Sequence, residues 1–132
     1  MTVLVTLRIV RTIKLYATGS ATGNNIANVI IPSSSTIRGV QVCLCADSIT
    51  DNAQIDLELS RASATEIAVN GAQQCIVQVN LRQNLLTSGL TPLGYATFLP
   101  VAVPVTQGQI IYLHAVAVGT ITYYATFILH VD

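Results

Sequence analysis

Residues 110–131 read IIYLHAVAVGTITYYATFILHV and contain no Asp, Glu, Lys or Arg. A membrane helix needs about 20 apolar residues, so this stretch is long enough to be one. Its periodicity indicates strands instead, because the odd-numbered residues on both sides of Gly119 are apolar while the even-numbered ones include Thr, His and Tyr. We therefore predict two long strands that form a hairpin at Gly119, with Ala125, Phe127 and Leu129 facing the core.

The same alternation recurs along the chain and predicts further strands. The segments are 3–15, 26–31, 36–46, 53–60, 74–82, 95–98 and 101–105. Gly, Pro, Asn and Ser separate them at intervals of about ten residues, and Asn70-Gly71 is the strongest hairpin signal. With about eight to ten strands and no amphipathic helix, residues 1–132 are predicted to form one all-β domain. An antiparallel β-sandwich of the jelly-roll type is preferred, and an immunoglobulin-like sandwich is second because the chain has no Trp.

The composition points to a surface that other protein covers. Charged residues make up 9% of the chain, against about 25% in an ordinary globular protein. A free monomer of this mass would expose roughly 6,700 Å², and six basic and six acidic side chains would cover that area thinly. Large apolar patches on free monomers mark interaction sites. The formal net charge of zero gives no indication of a nucleic-acid or membrane partner.

Histidines and cysteines are the first candidates for a metal site. His114 and His130 both occupy even positions of the predicted hairpin, so they could approach each other as a metal pair. Because further ligands are scarce, we interpret them as surface or interface residues. Cys43-x-Cys45 is half of a zinc motif without a second half, so Cys43, Cys45 and Cys75 are predicted to be buried as small apolar residues.

Asp56 and Glu58 are the remaining candidate pair for chemistry. Two carboxylates on one strand face can bind calcium or act in glycoside hydrolysis. These two alternate with Ile and Leu, which is the pattern of a solvent-facing side. The sequence also lacks a Gly-rich phosphate loop and the common hydrolase and zinc-protease motifs. We therefore predict a protein that is not an enzyme and has no metal or cofactor.

The N-terminal segment carries the one cluster of basic residues, Arg8, Arg11 and Lys14. These charges and the alternating pattern differ from the continuous apolar run of a signal peptide. Together with an odd number of cysteines, this predicts synthesis in a reducing cytoplasm. The cluster could also bind an acidic surface on a partner.

The last third of the chain resembles a known family. VPVTQGQIIYL at 103–113, Gly119, and ATFIL at 125–129 resemble the closing strands of tumour-necrosis-factor-like jelly rolls. They also resemble the small single-jelly-roll decoration (cement) proteins on the capsids of tailed bacteriophages, over about 30 residues. The resemblance implies a homotrimer around a three-fold axis that clamps neighbouring major capsid protein subunits, located on the capsid surface of the virion. It implies no active site.

Our first hypothesis is therefore a trimeric capsid decoration protein. The residues assigned to the trimer interface are Tyr112, His114, Tyr124, Thr126 and Ile128, and those assigned to the shell contact are Arg8, Arg11 and Lys14. One alternative is a trimeric receptor- or carbohydrate-binding head of a phage fibre, which would present aromatic and acidic residues in loops. Another is the jelly-roll capsid protein of a small virus, which often carries a long basic arm for the genome.

Overall fold

The computed structural model describes residues 11–48, 50, 52–66, 74–82 and 93–132. They form eight strands: β1 (Arg11–Gly19), β2 (Gly23–Ile30), β3 (Ser35–Ser48), β4 (Gln54–Ser60), β5 (Cys75–Arg82), β6 (Leu93–Val105), β7 (Ile110–Val118) and β8 (Ile121–Val131). No helix in the described ranges is long and apolar enough to span a membrane. The predicted strand residues 3–10 and the Asn70-Gly71 turn lie outside the described residues.

The strands form two four-stranded sheets with the orders β1-β8-β3-β6 and β2-β7-β4-β5. Every neighbouring pair is antiparallel. Strand β1 pairs with β8, β2 with β7, β3 with β6, and β4 with β5, as if one long hairpin had been rolled into two layers. This is the strand order of a jelly roll, so the predicted all-β jelly-roll sandwich is confirmed.

The core lies between the two sheets and contains the residues predicted for it. The odd-numbered residues of β8 from Ile121 to Val131 are buried, and Phe127 and Leu129 are fully buried. From the opposite sheet, β4 contributes Ile55, Leu57 and Leu59, and β7 contributes Ile111, Leu113 and Ala115. The period-two pattern therefore identified the inward face of these strands correctly.

The predicted hairpin at Gly119 is wrong, although both of its strands exist. Strand β7 belongs to the second sheet and β8 to the first, so they are hydrogen-bonded to other strands and not to each other. Gly119 has a φ of +75°, a conformation that favours glycine, and it turns the chain from one sheet to the other. Alternation shows that one side of a strand is buried, but it does not show which strand lies beside it.

Strand β6 is longer than the sequence indicated. The predicted segments 95–98 and 101–105 are parts of one strand, Leu93–Val105, which runs through Pro100 and Pro104. Proline cannot donate to a sheet ladder, but β6 is the last strand of its sheet. A proline on an edge strand can direct its missing donor position away from the neighbour, so the strand continues through it.

Candidate interaction surface

The outer surface of the first sheet, which we call the front face, is built from four rows of side chains. The strand register places these rows side by side: Thr18, Tyr124, Cys45 and Gly94; Tyr16, Thr126, Cys43 and Ala96; Lys14, Ile128, Gln41 and Phe98; Thr12, His130, Gly39 and Pro100. Among these sixteen described residues, Lys14 is the one with a formal charge. The next row adds Thr122 and Asp47.

Several large side chains on the front face are open to solvent. The exposed fraction is 64% for Tyr16, 53% for Phe98 and 50% for Tyr124. Nine residues of β1 at about 3.3 Å each, across four strands spaced about 4.8 Å apart, give the face an area of roughly 600 Å². Nearly uncharged patches of this size on a monomer often mark sites of interaction.

A groove of about 540 Å³ lies at one end of the front face. Tyr16 and Tyr124 contribute to its lining, together with Cys43, Cys45 and Gly94. It exists because β3 and β6 carry small side chains here while the two tyrosines stand on β1 and β8. A Cβ atom on Gly94 would lie 3.0 Å from the carbonyl oxygen of Leu44, so a larger residue would crowd the backbone at this point.

At the other end of the face, the ring of Phe98 lies over Gly39. A Cβ atom on Gly39 would lie 2.0 Å from Phe98 Cζ, so the ring occupies the space that a side chain would fill. The ring of His130 meets it edge-on, with centroids 5.5 Å apart. The buried Nε2 atom of His130 makes no hydrogen bond with the described residues. This end of the face therefore carries two packed aromatic rings, and one buried ring nitrogen has no hydrogen-bond partner among the described residues.

The structure divides the residues assigned to a trimer interface between two surfaces. Tyr124, Thr126 and Ile128 lie together on the front face. Tyr112 and His114 lie on β7, on the outer surface of the second sheet, which we call the back face. The five residues therefore do not form one contact surface. They were grouped because β7 and β8 were predicted to be one hairpin, and their role in a trimer interface stays a prediction.

The shell-contact residues are divided as well. Lys14 is exposed on β1 at the edge of the front face, and Arg11 begins the same strand. The Nη1 atom of Arg11 donates to the Oγ atom of Ser33 at 3.1 Å, which joins the start of β1 to the loop before β3. Arg8 lies outside the described residues.

His114 is fully buried, which the interface assignment did not expect. Its Nε2 atom lies 2.7 Å from the carbonyl oxygen of Ala62, and its Nδ1 atom lies 2.8 Å from the backbone nitrogen of Asn25. A carbonyl can only accept, so Nε2 carries the proton and Nδ1 accepts from Asn25 N–H. The ring therefore joins β2 to the loop after β4. It lies on the opposite side of the sandwich from His130, so the two do not form a metal pair.

Glu58 corrects the prediction that the acids of β4 face solvent, because it is fully buried while Asp56 is half-buried. Its Oε2 atom accepts from Thr65 Oγ1 at 2.9 Å and from the backbone nitrogen of Glu66 at 2.8 Å. The loop after β4 therefore folds back over its own strand. Ser60 helps to hold this loop, since its Oγ atom accepts from Ala62 N–H at 2.9 Å and donates to the Gln74 carbonyl oxygen at 3.2 Å.

The predicted burial of the cysteines is wrong for two of the three. Cys43 and Cys45 are exposed on the front face, and Cys75 is half-buried on β5. Burial raises the pKa of the Cys75 thiol to about 11, with further contributions from the Glu58 and Glu66 carboxylates nearby. This thiol is protonated at neutral pH and is a weak nucleophile. Within the described residues, no group of three or more His, Cys, Asp and Glu side chains is arranged to hold a metal.

The sequence-based prediction of the site missed Tyr16, Cys43, Cys45 and Phe98. Their positions on β1, β3 and β6 alternate with core residues, so the period-two pattern did contain a signal for one shared outer face. It could not show that this face is open, because an uncharged outer side is equally typical of a strand that is buried on both faces.

No protein-family model matches the sequence. No curated protein matches it either. Similar solved structures include Eiger TNF from S. frugiperda, at 8% identity and a TM-score of 0.49, covering 92% of each chain. They also include the infectious bursal disease virus VP2 subviral particle, at 12% identity and a TM-score of 0.49.

The match to VP2 covers 92% of this chain but 32% of the VP2 chain. A third similar structure is the C-terminal CBM6 of LamC, a laminarinase from Zobellia galactanivorans, at 13% identity and a TM-score of 0.41, covering 90% of this chain and 99% of that chain. These identities and scores are low. The jelly-roll assignment therefore depends on the strand order of this chain.

Proposed function

We propose that this chain is a structural protein of a virus particle, without enzymatic activity. In this proposal it forms a homotrimer that decorates the capsid surface, binds between major capsid protein subunits and stabilises the head. It is made in the host cytoplasm and stays in the virion after assembly.

The observation that carries the proposal is the front face. A sheet surface of roughly 600 Å² with one charge in four rows is costly to leave in water. Stable interfaces bury about 800 Å² on each partner and have apolar centres. A subunit that remains in an assembly keeps such a surface covered, and the 9% charged composition fits a chain that is rarely free in solution.

The basic residues of β1 are suited to the shell contact in this proposal. Both lie on the edge strand β1, with Lys14 on the front face and Arg11 on the opposite side of the strand, where it bonds Ser33. Charged groups at the rim of an interface steer and orient binding more than they add affinity. We expect Arg11, which points away from the front face, to meet acidic residues of the major capsid protein.

The test begins with the gene next to the one that encodes this chain. We expect a major capsid gene there, and co-expression of the two products should give shells that pellet together with this chain. Shells that leave the chain in the supernatant would contradict the proposal. A tail-fibre gene as the neighbour would favour a fibre head instead.

A second candidate function is a carbohydrate-binding head, and the groove between Tyr16 and Tyr124 favours it. Its volume of about 540 Å³ falls within the range of small-molecule sites. The described residues that line it include no Asp, Glu, Asn, Gln or Arg to bind sugar hydroxyls. We therefore expect no saturable binding in glycan arrays or calorimetry, whereas a specific glycan whose binding is lost in Tyr124→Ala would support this function.

A further inference from the structure

We infer that the front face is the surface through which copies of this chain bind one another, and that Cys43 and Cys45 are covered in the assembled protein. The inference rests on the proposed function and states which partner covers the face. The occupant is a second copy of the chain, and the shell binds elsewhere.

The area of the front face supports this choice. The area of roughly 600 Å² treats the face as flat, so it leaves out the surface of the protruding side chains and of the groove walls. With these, one face supplies about 800 Å², the area that each partner buries in a standard interface. In a trimer each subunit would bury that area in total, and its two neighbours would each contact about half of the face.

The charges of the face also favour a second copy. Lys14 stands on β1, and Asp47 stands on β3 in the row beyond Cys45. Both are exposed, so the five rows from Thr12 to Thr122 carry one charge of each sign, on different strands, and beyond them Arg38 and Asp132 form an ion pair with each other. A capsid surface would need its own match for this pattern, whereas a copy of the same face already carries one Asp for each Lys. An uncharged centre gives no reason for a charged partner.

The shape of the front face suits packing against another protein surface. The small residues Cys43, Cys45 and Gly94 leave a groove of about 540 Å³, and Tyr16 and Tyr124 stand beside it. Tyrosine and other aromatic residues are common at the centres of interfaces, where they fill hollows in the partner. On the back face, in contrast, the loop that follows β4 already covers Glu58 and His114.

The two exposed cysteines make the inference measurable, and Cys75 is a control in the same chain. Maleimide reacts with thiolates, and with a pKa of about 11 roughly one Cys75 thiol in a thousand is ionised at pH 8. Cys75 therefore labels slowly in any folded form. Fast labelling of all three cysteines would indicate unfolding.

The experiment follows maleimide labelling of each cysteine by peptide mass spectrometry during serial dilution of the wild-type protein. We expect Cys43 and Cys45 to be protected about tenfold or more at high concentration and to lose this protection as dilution releases monomers. In Ile128→Asp, which places a charge at the centre of the face, both should label quickly at every concentration. The matched control is Ile30→Asp, which changes an exposed apolar residue (61%) on the second sheet and should keep the wild-type protection.

Three results would overturn the inference. Fast labelling of Cys43 and Cys45 in a wild-type oligomer would show that copies meet through another surface. Protection that appears only after shells are added would assign the front face to the capsid, and the proposed function would still stand. Protection that does not change on dilution, in a protein that sediments as a monomer, would show that the chain covers its own face.

Discussion

The front and back faces of the sandwich differ in what covers them. The back face carries the polar residues Glu58, Ser60 and His114, yet all three are fully buried beneath the loop after β4. The front face carries Tyr16, Phe98 and Tyr124, yet these are half exposed or more. In this molecule, the polarity of the outward-facing residues of a strand does not predict whether that face is exposed to solvent.

The difference shows what each surface is built for. Buried polar groups need hydrogen-bond partners, and on the back face β2 and the loop after β4 supply them for His114, Ser60 and the Oε2 atom of Glu58. The Oε1 atom of Glu58 has no partner among the described residues. The front face has few polar groups and no covering loop among the described residues, so its apolar area remains available to other protein. A binding surface is therefore recognised here by the absence of a covering loop among the described residues.

The largest expected effect is in the core between the two faces. Phe127 is fully buried on β8, so Phe127→Ala should lower the free energy of unfolding by about 3–5 kcal/mol. Whole domains have about 5–15 kcal/mol, so the variant should fold poorly, as urea denaturation would measure. If Phe127→Ala instead gives well-folded monomers, Phe127 lies on the outer side of β8 and not in the core.

A smaller effect should separate the two histidines. His114→Ala removes two part-buried hydrogen bonds, one from Asn25 N–H and one to the Ala62 carbonyl, and each contributes about 0.5–1.5 kcal/mol. We expect a loss of about 1–3 kcal/mol in urea denaturation. The matched control is His130→Ala on the front face, where Nε2 has no hydrogen bond to lose. Equal losses in the two variants would show that the hydrogen bonds of His114 contribute little.

The smallest effect should appear at alkaline pH. The ordinary pKa of a cysteine thiol here is 9.0, and that of Cys75 is raised to about 11 by burial and then by Glu58 and Glu66. As the pH rises past the lower value, the unfolded chain loses this proton while the folded chain keeps it, so the free energy of unfolding should fall until the pH reaches the higher value. In Cys75→Ala the fall should be smaller but not absent, because burial also raises the pKa of Tyr123. Identical pH profiles for the two proteins would contradict this.

Much of the fold could be predicted because burial of one strand face leaves a period of two in the sequence. Ala125, Phe127 and Leu129 were assigned to the core by that rule and are buried there. The rule says nothing about which strands pair. The hairpin predicted at Gly119 was a separate assumption. It placed β7 beside β8 and His114 beside His130, although the two histidines lie on opposite outer faces.

The candidate surface could be predicted in part. Tyr124, Thr126 and Ile128 were named from the sequence and lie together on the front face, while Tyr112 and His114 do not belong to it. The burial of Glu58 and the exposure of Cys43 depend on whether a loop folds over the strand. That depends on contacts such as Glu58 with Thr65, which appear only when the chain is folded.

Sedimentation equilibrium of the wild-type protein at micromolar concentration tests most directly whether other copies cover the front face. We expect a mass of three chains for the wild type and for Ile30→Asp, and a shift to single chains for Ile128→Asp, since a carboxylate placed beside Lys14 would lose its hydration when the apolar contact closes over it. A wild-type protein that sediments as a stable, well-folded monomer would contradict the account.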